Sequence, residues 1–141
     1  MKKVAVLVLL FASCSDFSEK FSNNITLVHE GEFYNFVTKK NHPGLFLEAN
    51  VVEVKENKKY IFFYQIIHLE RLRRDLAADI YPNERYLDSI PFGEKADSII
   101  ANSNHLRKQV KFEKAYFVLI KSKDSLLGPF KEKSSVVKYG F

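Results

Sequence analysis

The 141-residue sequence predicts an α+β fold: a mostly antiparallel sheet of about six strands, with a two-helix excursion between strands four and five packed on one face of the sheet. Three observations carry that prediction. From Ile25 the chain runs in short β-branched and aromatic stretches broken by turn residues, the pattern of antiparallel strands. Within residues 69–108 the apolar residues instead recur at helical spacing. Strand-like runs return from Ala115.

The N-terminus fits neither pattern. Lys2 and Lys3 precede the apolar run Val4–Ala12 and the small residues Ala12 and Ser13, the charged, hydrophobic, small-residue order of a secretory signal peptide. The run has nine residues. A span of the hydrocarbon core takes roughly 20, so this segment is too short to be a mature transmembrane helix. Phe11-Ala12-Ser13-Cys14 resembles the lipobox of bacterial lipoproteins, in which a cysteine follows two small residues and a larger apolar one; Phe11 stands where Leu is usual. The resemblance implies cleavage between Ser13 and Cys14, a thioether-linked diacylglycerol on Cys14, and acylation of its new amine. Each buried CH₂ contributes about 0.8 kcal/mol to membrane binding, and two or more chains anchor stably where one does not. The expected organisation is a signal peptide over residues 1–13, lipidated Cys14 and a tether over 14–24, and one globular domain over 25–141. The expected location is a bacterial membrane, on the exported side. By the sorting rule of some Gram-negative bacteria, Ser15 rather than Asp after Cys14 favours the outer membrane.

Loss of the leader leaves 128 residues, enough for one domain with a real core, and lowers the formal charge from +5 to +3. An exported chain with its lysines spread along the sequence does not call for nucleic acid as a partner. Cys14 is the only cysteine, so its lipidation leaves no thiol for a disulfide. Burial has to stabilise the fold, and 12 Phe and 7 Tyr remain to supply it. Each aromatic ring can bury about 150 Å² or more.

Along the domain, Ser15–Asn24 is polar and without apolar period, and reads as the tether. Four strands follow: "ITLVHE", "FYNFVT" after Gly31, "LFLEANVVEV" after the loop Lys39–Gly44, and "KYIFFYQIIH" after the turn Lys55–Lys58. The last is apolar almost throughout, which predicts a central strand covered on both faces. Leu69, Leu72, Leu76 and Ile80 then share one helical face, and Tyr81-Pro82 ends that helix. A second helix is expected from Glu94 to about Lys108, after Pro91-Phe92-Gly93. Acidic Glu94 and Asp97 near its start and basic Arg107 and Lys108 near its end match the helix dipole. Strands resume with "AYFVLIK" and "LLGPF", the latter stopped by Gly128-Pro129, and Lys131–Lys138 suits a short terminal helix.

Chemistry is sparse. His29, His42, His68 and His105 form no ligand pair on one predicted element, so no metal is assigned. His68 and Glu70 flank a strand-to-helix junction and are the one pairing an enzyme reading would use. Ser135-Val136-Val137-Lys138 matches S-x-x-K, but the companion motifs of the penicillin-binding proteins are absent. No phosphate-cradling or dinucleotide glycine loop occurs. No catalytic residue and no cofactor is assigned. The basic group Arg71, Arg73 and Arg74 reads as a solvated helix face, with contact to anionic headgroups as its sharper reading.

Two segments together resemble a family of small, functionally uncharacterised bacterial lipoproteins. "ANVVEVKENKKYIFFYQ" is similar to a family segment in which a Val-Val-Glu strand turns through Asn into a Lys-Tyr-Ile strand ending near Gln, here Val51, Val52, Glu53, Asn57, Lys59, Tyr60, Ile61 and Gln65. "AYFVLIKSKDSLLGPF" is similar to a hairpin in which Tyr116, Gly128 and Pro129 match, while Phe117, Lys121 and Leu127 replace the usual Trp, Asp and Tyr. Residues 69–111 look like a helical insertion relative to the shortest members. The resemblance implies a fold and a location and no activity. The expected function is a membrane-anchored binding or scaffold module of the bacterial envelope, not an enzyme. Its expected partners are the membrane, through Cys14, and an envelope protein or glycan. An immunity or exclusion lipoprotein against a toxin or phage is the alternative, followed by a small envelope enzyme.

Overall fold

Alternating apolar residues in Ile25–Val37 and in the strands after Val51 need a common partner, and two stacked sheets give them one. A computed structural model describes residues 17–30, 34–80 and 90–141. The leader, Ser13, Cys14 and the helix stop at Tyr81-Pro82 lie outside the described residues. The fold is α+β, with seven antiparallel strands in two sheets and a helical excursion between β5 and β6. One sheet has the order β1 (Phe17–Lys20), β2 (Ile25–His29), β3 (Asn35–Lys39). The other has the order β4 (Val51–Glu56), β5 (Tyr60–Ile66), β6 (Lys114–Ile120), β7 (Ser125–Phe130). The excursion carries α1 (Leu69–Ile80), α2 (Ile90–Asn102) and α3 (Asn104–Gln109), and a 3₁₀-helix (Lys133–Tyr139) closes the chain.

The core follows from the two-residue period of β5. Ile61 and Phe63 point inward with Phe117 and Leu119 of β6 and meet Ile25, Leu27 and Val37 of the smaller sheet. Phe62 points the other way, onto Val118 and onto Val136 of the 3₁₀-helix. Asn57 fixes both the turn before β5 and the helix over it. Its Oδ1 accepts from the Lys59 and Tyr60 amides at 3.0 and 2.9 Å, and its Nδ2 donates to the Tyr139 carbonyl at 2.9 Å.

Polar contacts hold the sheets in line at both ends. At one end, Lys39 Nζ meets Asp124 Oδ2 at 2.5 Å, Asn23 Nδ2 donates to the Lys121 carbonyl at 2.9 Å, and Lys121 pairs with Glu56. At the other, the Asn35 amide donates to Asn50 Oδ1 at 3.3 Å. Asn50 in turn exchanges backbone hydrogen bonds with Ile66 at 3.0 and 2.9 Å.

Several boundaries differ from the sequence expectation, each for a local reason. Phe17–Lys20, inside the expected tether, is a strand: it pairs with β2 from Phe17↔His29 to Lys20↔Thr26, although all four residues are exposed. An exposed edge strand hides no apolar stripe, so no alternation marks it in the sequence. Leu45–Asn50, expected as strand, makes a single bridge, Val37↔Leu47. Consecutive Phe46 and Leu47 are both buried, which a two-residue period does not allow, and the segment crosses from one sheet to the other. The second expected helix is two, because Ser103 is extended (φ −97°, ψ 110°) and its Oγ accepts from the Leu106 amide. α2 starts at Ile90, before the expected Glu94, with Pro91 in the first turn, where a missing N–H costs nothing. β7 continues through Gly128-Pro129 to Phe130. It is an edge strand, and a register shift between Tyr116 and Val118 of β6 leaves Gly128 and Pro129 outside the ladder. The helices do not cover the sheet face, which the smaller sheet occupies. They form their own cluster of Leu72, Ile100 and Leu106.

A buried amide cluster ties this excursion to the core. Gln65 Nε2 donates to the Glu48 carbonyl at 2.7 Å and to Gln109 Oε1 at 2.8 Å, and the same Oε1 accepts from the Glu48 amide at 2.8 Å. The backbone donor and acceptor of Glu48 fix which way each amide points. Leaving a buried partner unsatisfied costs about 1–3 kcal/mol. Gln65→Leu and Gln109→Leu are each expected to lower unfolding stability in urea by about 2 kcal/mol, and the double variant by at least about 0.5 kcal/mol less than the sum. Strict additivity would refute the coupling.

Candidate functional site

The break at Ser103 sets up the site. It restarts the helix so that His105 and Gln109, four residues apart on one face of α3, turn toward the space between the 42–48 segment and β7. There they line a pocket of about 230 Å³ with Phe46, Phe117, Leu126, Gly128, Asn104 and Lys108. Its walls are mostly apolar, and of the polar residues that line it Asn104 and Lys108 are exposed on α3.

Gly128 is required by the wall it forms. A Cβ there would lie 2.7 Å from the Tyr116 carbonyl oxygen and 3.1 Å from Phe117 Cδ1, and φ is +114°. Any other residue would push β7 off Phe117 and change the pocket.

His105 packs against His42 and Phe46, with ring centroids 5.1 and 6.2 Å away. Phe46 also sits edge-on to His42 at 5.4 Å and under Lys39 Nζ at 5.3 Å. Burial pushes the His105 pKa below the usual 6.5; hydrogen bonding to the backbone of Phe46 and Leu45 opposes this only in part. The ring is therefore neutral at pH 7. His105 Nε2, His42 Nδ1 and Gln109 Nε2 are buried with no hydrogen-bond partner among the described residues. Each such orphan costs about 1–3 kcal/mol; of the three residues, His105 and Gln109 line the pocket and His42 lies behind His105. The arrangement suits a small molecule with an apolar body and a polar end. Among the described residues no three of His, Cys, Asp and Glu gather in a metal-binding group.

The residues singled out from sequence lie elsewhere. Ser13 and Cys14 fall outside the described residues. His68 and Glu70 are exposed at the start of α1, where Glu70 Oε1 accepts from Arg73 at 3.0 Å. Arg73 also reaches Asp97 at 2.7 Å and so pins α1 to α2. Arg71 lies over the Tyr34 ring at 4.5 Å. Burial, followed by the carboxylates of Asp75 and Glu48, pushes the Tyr34 hydroxyl up to about 12. Ser135 and Lys138 are exposed on the 3₁₀-helix. His29 stands between Glu19 and Asn35, at 3.0 and 2.9 Å. The pairing of His42 with His105 had no sequence signal, because the two come from a loop and a distant helix and no periodicity links them.

No protein-family model, no curated protein and no solved structure matches the chain.

His105 makes this site sensitive to acid. Well above pH 6.5 the imidazole is neutral in the folded and unfolded chains alike. As pH falls through that value the unfolded chain takes up the proton first, so stability declines, and it levels off only once the folded ring titrates. The melting temperature is expected to fall between about pH 7.5 and pH 5, and less steeply in His105→Gln. Equal slopes for the two proteins would show that His105 does not contribute. The carboxylates of Glu56 and Asp124 act in a lower window, because both are held below their ordinary values of 4.5 and 3.8. For Glu56, hydrogen bonds from Lys121 and Ser22 outweigh burial; for Asp124, the cause is hydrogen bonds from Lys39 and Asn23.

Proposed function

We propose that the protein is a lipid-anchored binding module of a bacterial envelope, held at the membrane by Cys14. Its folded part presents the α3 pocket to a small group carried by an envelope protein or glycan. The observation that carries this reading is Phe11-Ala12-Ser13-Cys14: the single cysteine of the chain stands behind a charged and then apolar leader, in the position that lipidation uses. The pocket supports a binding role. Its surface is mostly side chains that hold a ligand by apolar contact and hydrogen bonds, and its histidine is neutral at pH 7 and packed against aromatic neighbours.

Membrane fractionation with intact-mass measurement of the native chain and Cys14→Ala tests it. The native chain is expected in the membrane fraction, beginning at Cys14 and heavier by a diacylglycerol and an amine-linked acyl chain. Cys14→Ala is expected to lose both the mass increment and membrane retention after cell breakage. A native chain that is soluble and unmodified would overturn the proposal.

A further inference from the structure

The two ends of the sandwich are chemically different, and the chain enters at only one of them. At that end lie the start of β1, the end of β2 and the start of β3, in the row Phe17–His29–Asn35. Asn35 is joined to Asn50 and Asn50 to Ile66, three residues before α1 begins at Leu69. Among the described residues four large apolar side chains are exposed, and three belong here: Phe17 at 54%, Val52 at 47% and Leu69 at 46%. The fourth, Val137, is on the 3₁₀-helix over the outer sheet face. The opposite end carries the Lys39–Asp124 and Lys121–Glu56 pairs and none of these apolar side chains, whereas at the first end exposed Glu30, Glu70, Glu113 and Lys114 stand around the three.

Each of the three has a structural reason to point outward. Phe17 stacks flat on His29, at 4.1 Å and 17°, so one ring face stays open. Val52 sits in the register shift between Val51 and Glu53 and has no cross-strand partner to cover it. Leu69 opens α1 before the helix turns its apolar side onto Leu72 and the other helices.

We infer that this end of the domain lies against the bilayer that holds Cys14, with Phe17, Val52 and Leu69 seated in its interface. The inference rests on the anchor proposed above and adds an orientation to it. Cys14 and Phe17 are three residues apart in sequence. At about 3.3–3.6 Å per residue, the first strand starts no more than about 11 Å from the lipidated cysteine. A ten-residue tether would allow a separation of ~33 Å; the shorter stretch from Cys14 to Phe17 keeps this end of the domain near the anchor. Two of the three helix arginines are engaged within the fold, Arg73 by Glu70 and Asp97 and Arg71 by the Tyr34 ring, while Arg74 is exposed; the contact is assigned to the apolar trio rather than to headgroup charge.

The chain contains no tryptophan, which gives fluorescence a clean background. Phe17→Trp, Leu69→Trp and Val137→Trp, each in the full chain purified from membranes, are placed in phosphatidylcholine vesicles with brominated acyl chains. An apolar side chain seated about 5–10 Å into the interface is within reach of the quencher, so Phe17→Trp and Leu69→Trp are expected to lose roughly half their emission and Val137→Trp very little. Emission unchanged at 17 and 69 in protein whose mass shows a modified Cys14 overturns the orientation and leaves the anchor standing. Quenching that appears only when anionic lipid is added also overturns it, in favour of attraction through Arg71 and Arg74. An unmodified Cys14 overturns the anchor and the orientation together.

Discussion

Ile61, Phe62 and Phe63 are consecutive and all fully buried, which demands that β5 be covered on both faces at once. Burying one such side chain contributes about 1.5–3 kcal/mol, so leaving either face open would forfeit a large share of a marginal stability. The rest of the molecule answers that demand. The smaller sheet covers Ile61 and Phe63; the 3₁₀-helix, through Val136, covers Phe62. β4 and β6 flank the strand on its two edges and satisfy its backbone.

The same strand positions the pocket. Gln65 continues the inward-facing row of β5, yet it is an amide, and a buried amide needs partners. It finds them in Glu48 and Gln109, which brings the end of α3 and the 42–48 segment to one place. With Gln109 held at one end of α3 and Ser103 starting it at the other, His105 has one direction left to face. The pocket is thus a consequence of where the Gln65 Nε2 of a hydrophobic strand finds its acceptors; the Gln65 Oε1 stays buried without a partner among the described residues.

The class of fold was legible because it rests on local pattern: short β-branched and aromatic runs between turn residues in β2, β3 and β5, and a helical period in α1, whose bounds Leu69–Ile80 the apolar spacing gives directly. The double coverage of β5 was legible because its run is apolar almost throughout. What lacked a period was not. β1 is a wholly exposed edge strand, and Phe46-Leu47 crosses between sheets instead of lying in one. The hydroxyl of Ser103, one polar residue among several in "ANSNH", decides a helix break that spacing alone runs through. The site was least visible of all. Phe46, His105, Gln109 and Gly128 carry ordinary signals one by one, and only the meeting of three separate segments makes them a pocket. The proposed anchor is the reverse case: it rests on four adjacent residues and owes nothing to the fold.

If coverage of β5 organises the molecule, its backbone should open only when everything else does. Native-state hydrogen exchange read amide by amide tests this directly. The account predicts that the amides of Ile61–Phe63 and their β6 partners exchange slowest, at the rate of global unfolding, while β1 and the helical cluster exchange by smaller openings. If β5 exchanged as fast as β1, or faster than α1 and α2, the strand would not be the element on which the others depend, and the account would be contradicted.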